Sequence, residues 1–357
     1  MTYLRILIIS DSIEPPSYAP RVISLFRFLK KMGHDVVLEA GQKVEHQSRW
    51  AFIADKLWGR NDRRFGKMLQ GKYAIGRFDL ILCSTYYYFP LRTARYLSQL
   101  WQIPYVIDLR DIVEQWGKSS YFTTRLPKLC GLERIIARWY EHRNICLRNR
   151  IMHAAKAVIT ISPWHQQYLQ SLTKTPVHLI YNGFDETEIR FDAIATQFFS
   201  IAYIGRFINL NLRQPQMLFQ AIGELLQKGG IDKLSLDFYA EPDKEQEVRA
   251  LAIQYSVNEY VHWHTFIDRT ELSTTMAQSS VLVALGCAPQ YGQHGILGTK
   301  VFEAIGAEKP LLLVPSDEDS LATLIQETGI GIAASSPQEI ADFIEEKYHE
   351  WKTNSYT

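Results

Sequence analysis

Residues 292–314 read GQHGILGTKVFEAIGAEKPLLLV. Glycines at 292, 295 and 298 lead into Thr299 and Lys300, a helical stretch follows, and Pro310 opens the apolar run Leu311–Val314. A glycine loop, a helix and a buried strand in that order make one unit of an open α/β sheet. The first N–H groups of such a helix, with its dipole, can hold an anion such as a diphosphate. Lys300 adds positive charge there. One turn on, the Glu303 carboxylate can accept two hydrogen bonds from the vicinal hydroxyls of a ribose. The same pattern also describes an ordinary turn before a helix whose glutamate is solvated.

The grammar repeats on both sides of this stretch. FSIAYIGR (199–206), LSLDFYA (234–240), YVHWHTF (260–266) and SVLVALG (280–286) are strand candidates, with PQMLFQAIGELLQKGG (215–230) as a helix between two of them. The first half offers RILIIS (Arg5–Ser10), DVVLEA (Asp35–Ala40), FDLILCS (78–84), PYVIDLRD (104–111) and AVITIS (157–162). Its helical stretches include APRVISLFRFLKKMGH (19–34), stopped at Gly33, and LRTARYLSQLWQ (91–102). Continuous apolar strands between helices imply parallel sheets covered on both faces. A length of 357 residues suits two such domains, since one core serves about 150 residues. Asn182 and Gly183 mark a turn, and periodicity lapses until Phe198, which places the boundary near residue 185. The expected divisions are therefore 1–185, 186–336 and a C-terminal helix at 337–357. Ser336 caps that helix, Pro337 takes its first position, and packing back on the N-terminal domain is one option for it.

With 46% apolar and 22% charged residues both halves can bury a core. The longest apolar runs fall far short of the ~18 residues of a membrane span. The start MTYLRILIISDS has too short an apolar stretch for a secretory signal, so the chain is expected in the cytoplasm. Cys83, Cys130, Cys146 and Cys287 form no CxxC pair and read as reduced thiols.

The net charge of +1 hides a division. Residues 1–182 carry 27 Lys and Arg against 13 Asp and Glu, a balance of +14, while residues 183–357 carry 12 against 25, a balance of −13. The first half is suited to an anionic partner, or the halves attract one another. Two basic stretches interrupt it: KLWGRNDRRFGKMLQGKYAIGR (56–77) and LERIIARWYEHRNICLRNRIMH (132–153). The second sets Leu132, Ile135, Ile136, Trp139, Tyr140 and Leu147 on one helical face among arginines. It reads either as a membrane-surface helix or as one packing on its own sheet.

Ligands of open α/β sheets bind beyond the carboxyl ends of the strands. DSIEPPSYAPR (11–21), after the first strand, is not a GxGxxG loop, which argues against a nicotinamide enzyme. Gly205 and Arg206 follow FSIAYI, and Arg213 follows soon after; a guanidinium there can grip a phosphate in a fork or serve as a surface ion-pair partner. No DxD-type pair follows a strand in the second half, so arginine, lysine and a helix end are expected to neutralise a diphosphate without a metal. His262 and His264 share a strand face but lack further ligands for a metal. Tyr86, Tyr87 and Tyr88 can stack on an acceptor or simply pack.

GHDVVL, FDLILCS, IPYVIDLRD, AVITIS, YNGFD, YIGRF and TKVFEAIGAEKPLLLV occur in the order seen in family-4-like glycosyltransferases of the B-type fold, and the chain resembles that family over nearly its whole length. The resemblance implies two Rossmann-like parallel-sheet lobes facing a central cleft, an N-terminal acceptor domain and a C-terminal nucleotide-sugar-binding domain. It implies that Gly205, Arg206, Arg213, Gly298, Thr299 and Lys300 hold the donor diphosphate and that Glu303 binds its ribose. Asp108, Arg110 and Asp111 would line the acceptor side as catalytic candidates, and a loop with Ser17, Tyr18, Ala19 and Arg21 would lie over the substrates. There is a departure: members often carry two glutamates, the first eight positions before the second, and that position here is Gly295. The lysine expected soon after Gly205-Arg206 is also replaced, with Arg213 as its substitute.

The activity so implied is transfer of a sugar from a nucleoside-diphosphate sugar to a glycan or lipid-linked acceptor, in cell-surface polysaccharide or glycolipid synthesis. It needs no cofactor beyond the donor itself and no nucleic acid. The basic half would dock peripherally on the inner membrane face. Two alternatives stay open: a silent nucleotide-sugar-binding subunit, and a sugar-nucleotide epimerase of similar fold.

Overall fold

The computed structural model describes residues 3–13, 20–41, 58–117, 132–185, 194–207, 210, 213, 215–287 and 292–354. The chain divides into two units, Met1–Tyr181 and Asn182–Thr357. The division falls four residues before the turn-based expectation, so Asn182 and Gly183 begin the second unit.

The first unit holds a six-stranded sheet in the order β2-β1-β3-β4-β5-β6, every pair parallel. Its strands are β1 (Arg5–Ser10), β2 (Asp35–Ala40), β3 (Leu80–Thr85), β4 (Tyr105–Leu109), β5 (Ala157–Thr160) and β6 (Val177–Leu179). The described helices are α1 (Pro20–Lys31), α2 (Arg60–Lys72), α3 (Leu91–Trp101), α4 (Leu132–His153) and α5 (Pro163–Leu172). Leu7, Ile9, Ile81, Ile107 and Val158 are buried in one core, and Ile6, Ile8, Val36 and Leu82 in another on the opposite face of the sheet. Burial on both faces is why these strands read as unbroken apolar runs. Ser162 caps α5, its Oγ accepting from His165 N–H at 3.2 Å, with Pro163 pre-set for the first helical position. Gly33, at φ +88°, ends the turn after α1 in a conformation that suits glycine.

The second unit repeats the architecture with another strand order, β12-β11-β10-β7-β8-β9, again all parallel. Its strands are β7 (Phe199–Ile204), β8 (Leu234–Tyr239), β9 (Val261–His264), β10 (Val281–Leu285), β11 (Leu311–Val314) and β12 (Gly331–Ala333). Its helices are α6 (Gln216–Gln227), α7 (Glu245–Gln254), α8 (Arg269–Gln278), α9 (Thr299–Gly306), α10 (Ser320–Thr328) and α11 (Pro337–Asn354). The connection reverses direction across the sheet between β1 and β3 in the first unit and between β7 and β10 in the second. These are the two switch points, where crevices open at strand carboxyl ends.

The C-terminal helix contributes to the second unit's core through Ile340, Phe343, Ile344 and Tyr348 of α11. Tyr348 and Trp351 meet the ring of Phe199 edge-on at 5.5 and 5.9 Å, and the Trp351 indole donates to Thr196 Oγ1 at 3.2 Å. The face of α4 differs from the expected stripe. Ile135 and Trp139 are 66% and 54% exposed, whereas Asn144, Arg148, Ile151 and Met152 are buried. Arg148 is only 1% exposed because a two-pronged pair with Glu114, 2.8 Å on each prong, compensates its charge.

Candidate functional site

In the second unit the switch point opens into a pocket of about 190 Å³. Gly205, Arg206 and Arg213 line it from the end of β7, and Gly298, Thr299 and Lys300 from the start of α9. Six of the seven residues expected to hold a donor therefore converge. The seventh, Glu303, does not line the pocket: it is 4% exposed, one turn into α9, with Oε2 2.9 Å from Lys300 Nζ. That pair fixes the lysine at the helix start.

Local geometry explains the loop after β7. The Arg206 carbonyl accepts from Tyr203 OH at 2.9 Å and from Arg213 Nη1 at 2.8 Å. The Phe207 N–H donates to Glu241 Oε2 at 3.0 Å. Arg213 thus stitches the loop, and the exposed Arg206 guanidinium lies 5.5 Å from the Phe266 ring centre. Burial pushes the Tyr203 hydroxyl up to about 12, so it remains a donor. Across the pocket, Gly286 lets β10 and β11 end side by side, since a Cβ there would sit 2.2 Å from the Pro315 carbonyl oxygen.

The pocket lining also includes residues that sequence reasoning does not single out: Gln293, Asp317 and Asp319. Asp317 accepts from the N–H groups of Leu321 and Ala322 and so anchors the start of α10; burial raises its pKa. Asp319 Oδ2 accepts from Gly295 N–H at 2.8 Å and lies 3.3 Å from His294 Nδ1. Gly295 itself has φ +68°, a conformation in which a glutamate would be strained. The signal for the two aspartates is their place directly after the PLLLVPS strand; Gln293 carries none beyond lying in the glycine loop.

The first unit's switch point is arranged otherwise. Asp108 is fully buried, its carboxylate bonded to Arg21 at 2.9 Å and to Ser84 Oγ at 2.7 Å. Arg21 also donates to the Tyr181 carbonyl at 3.0 Å. Arg110 pairs with Asp11 and lies 3.8 Å from the Tyr86 ring centre. Asp111 is half-buried and accepts from Gln115 Nε2 at 3.0 Å. Burial raises its pKa to about 6, the Gln115 bond partly offsetting it. Asp108 and Arg21 therefore hold each other, Arg110 sits beside them with Asp11, and Asp111 stands at the edge. Ser17, Tyr18 and Ala19 lie outside the described residues, as does Cys130.

Among the described residues no cluster of three or more His, Cys, Asp or Glu side chains is placed to hold a metal. His264 bonds Asp237 at 3.0 Å and stacks on Tyr239, which accounts for its place on the strand. Among the described residues no helix is long and apolar enough to cross a membrane.

Residues 20–188 match the profile of Glycosyltransferase Family 4, and residues 199–350 that of Glycosyl transferases group 1. No curated protein matches the sequence. Among solved structures, the chain is similar to sucrose-phosphate synthase from Thermosynechococcus elongatus, with TM-score 0.61 and 14% identity over 99% of this chain and 96% of that one. It is similar to HepE of Anabaena in complex with UDP and glucose, with TM-score 0.59 and 14% identity over 99% and 94%. A putative UDP-N-acetylglucosamine 2-epimerase from Listeria monocytogenes has TM-score 0.58 and 12% identity over 99% and 91%. At such identities the structural likeness speaks to fold.

Proposed function

The chain belongs to the family-4-like glycosyltransferases of the B-type fold, and from that premise we propose that its second unit binds a nucleoside-diphosphate sugar and passes the sugar to a glycan or lipid-linked acceptor. The observation that carries the donor reading is the convergence of Arg206, Arg213, Thr299 and Lys300 on one pocket at the switch point. In the reaction the bond from the anomeric carbon to the diphosphate oxygen breaks and the acceptor hydroxyl oxygen bonds that carbon. The hydroxyl proton is lost, and the diphosphate leaves with its charge increased. Cationic side chains and the first amides of α9 stabilise that growing charge, which is the work a divalent cation would otherwise do. The reading is thus metal-independent, and full activity in EDTA is the expected result. Asp111, with a pKa raised to about 6, is the first unit's candidate for contact with the acceptor hydroxyl.

The HepE neighbour is described with UDP and glucose, so UDP is the first diphosphate to try. Calorimetry with UDP, GDP, ADP and TDP should find one that binds, and its sugar conjugate should release diphosphate only when an acceptor is added. Binding of none removes the donor reading. Consumption of the conjugate with no acceptor and no released diphosphate favours the epimerase, whose fold is shared.

The basic surface of the first unit supports a lipid-linked acceptor at an anionic membrane. On α4 the exposed Trp139 ring has Arg143 at 5.5 Å, and just before α2 the exposed Trp58 has Arg60 at 5.8 Å. Exposed tryptophans flanked by arginines suit a headgroup layer. Co-sedimentation with anionic but not neutral vesicles at low salt is expected, and negligible binding to both would exclude this mode.

A further inference from the structure

The loop after β7 holds Arg206 by its backbone. The peptide unit between Arg206 and Phe207 is pinned at both of its polar atoms. Its carbonyl accepts from Tyr203 OH at 2.9 Å and from Arg213 Nη1 at 2.8 Å, and its N–H donates to Glu241 Oε2 at 3.0 Å. One residue earlier, Gly205 N–H donates to the Tyr239 carbonyl at 3.1 Å and so extends the β7–β8 ladder. A peptide unit is planar, so fixing its oxygen and its nitrogen fixes the plane in which Arg206 Cα lies and narrows the direction its side chain can take. We infer that Tyr203 is a positioning residue, whose hydroxyl, with Glu241 at the other end of the peptide unit, sets the Arg206 guanidinium for the diphosphate. The inference rests on the donor reading above and adds to it the residues that prepare the cation.

Tyr203 suits this task because its ring is held in the core. It is 4% exposed, and its ring centre lies 4.8 Å from that of Phe207 and 6.1 Å from that of Phe238. Phe207 is fully buried and stacks in turn on Trp263 at 6.1 Å, so the residue after Arg206 is anchored inward while Arg206 itself lines the pocket. Gly205 keeps the hydroxyl clear: a Cβ there would sit 3.1 Å from Tyr203 OH and crowd it. A guanidinium grips a phosphate as a two-pronged fork, which depends on angle as well as distance. A long side chain also loses rotamer freedom when it binds, and a backbone already set in place lowers the ordering that remains. Tyr203 lines the pocket as well, so direct contact with the ligand is the competing role. The two roles differ in whether the effect of the hydroxyl passes through Arg206.

The test is a double-mutant cycle on the full chain, read by calorimetry with the tightest-binding of UDP, GDP, ADP and TDP. Tyr203→Phe keeps the ring and removes only the hydroxyl. It should weaken diphosphate binding about fivefold, the worth of one neutral hydrogen bond, and by no more than about twofold when Arg206 is already alanine. Its melting temperature should change little, because the Arg206 carbonyl keeps Arg213 as a donor. Glu241→Ala should show the same dependence on Arg206, and Glu241→Gln, which keeps an acceptor oxygen, should recover most of the lost affinity. An equal loss from Tyr203→Phe in both backgrounds would mean that the hydroxyl touches the ligand or supports the unit generally, and would overturn the assignment. No loss in either background would overturn it too. Wild-type protein that binds none of the four diphosphates removes the donor reading and this inference with it, a failure distinct from the others.

Discussion

The two switch points start from the same architecture and spend their charges in opposite ways. In the first unit each cation at the strand ends is met by its own carboxylate: Arg21 by Asp108, Arg110 by Asp11. In the second unit Arg206 and Arg213 line an open pocket, and the loop around them is held by carbonyl and amide bonds. Buried ion pairs hold the strand ends of the first unit in place, whereas cations that line a pocket suit an anion. The excess positive charge of the first unit is therefore no guide to its strand ends; it sits on exposed helix surfaces such as those around Trp139 and Trp58.

The largest expected effect breaks the first arrangement. Asp108→Ala leaves the Arg21 guanidinium buried without its carboxylate and should cost about 3–5 kcal/mol in denaturant unfolding of the first unit. Binding of diphosphate by the second unit should persist wherever the variant still folds. Arg206→Ala probes the other arrangement: about 1.5–3 kcal/mol of diphosphate affinity should be lost by calorimetry, with little change in melting temperature. If the two variants exchanged their effects, the contrast between a closed and an open switch point would fall.

The pH dependence sharpens the contrast. Burial raises the carboxyls of Asp62 and Asp111 to about 6, above their unfolded value. A raised folded pKa gives stability that is fully present below the unfolded pKa and lost as pH rises through the folded one. The first unit should thus lose on the order of 1–3 kcal/mol per group between pH 4 and 6, and Asp62→Asn should flatten that slope. Asp111→Asn should flatten it too and also lower turnover more than donor affinity. The smallest effect belongs to the helix surface, where Arg138→Gln should weaken binding to anionic vesicles by about 1 kcal/mol.

Much of this was legible in the sequence. RILIIS and DVVLEA match β1 and β2 residue for residue, because strands buried on both faces leave continuous apolar runs. β6 and β12 were not readable: three residues at a sheet edge give no periodicity. Arg206, Thr299 and Lys300 could be placed because a ligand site follows a strand or opens a helix. Gln293 and Asp319 could not, since their meaning depends on which loops the sheet brings together. The exposed Trp139 and the buried Arg148 of α4 show the same limit. The burial of Arg148 depends on Glu114 on a distant turn, not on helical spacing.

The aromatic cluster around Phe199 bears on how the chain is made. Phe199 begins β7, the first strand of the second unit, yet its ring is covered by Tyr348 and Trp351 of α11. As the polypeptide leaves the ribosome, those two side chains follow roughly 150 residues behind. The first unit, whose last described bond joins Arg21 to Tyr181, can complete its sheet long before then. The nascent second unit therefore lacks these two aromatic partners of Phe199 through most of its synthesis, and its core is completed only when α11 emerges.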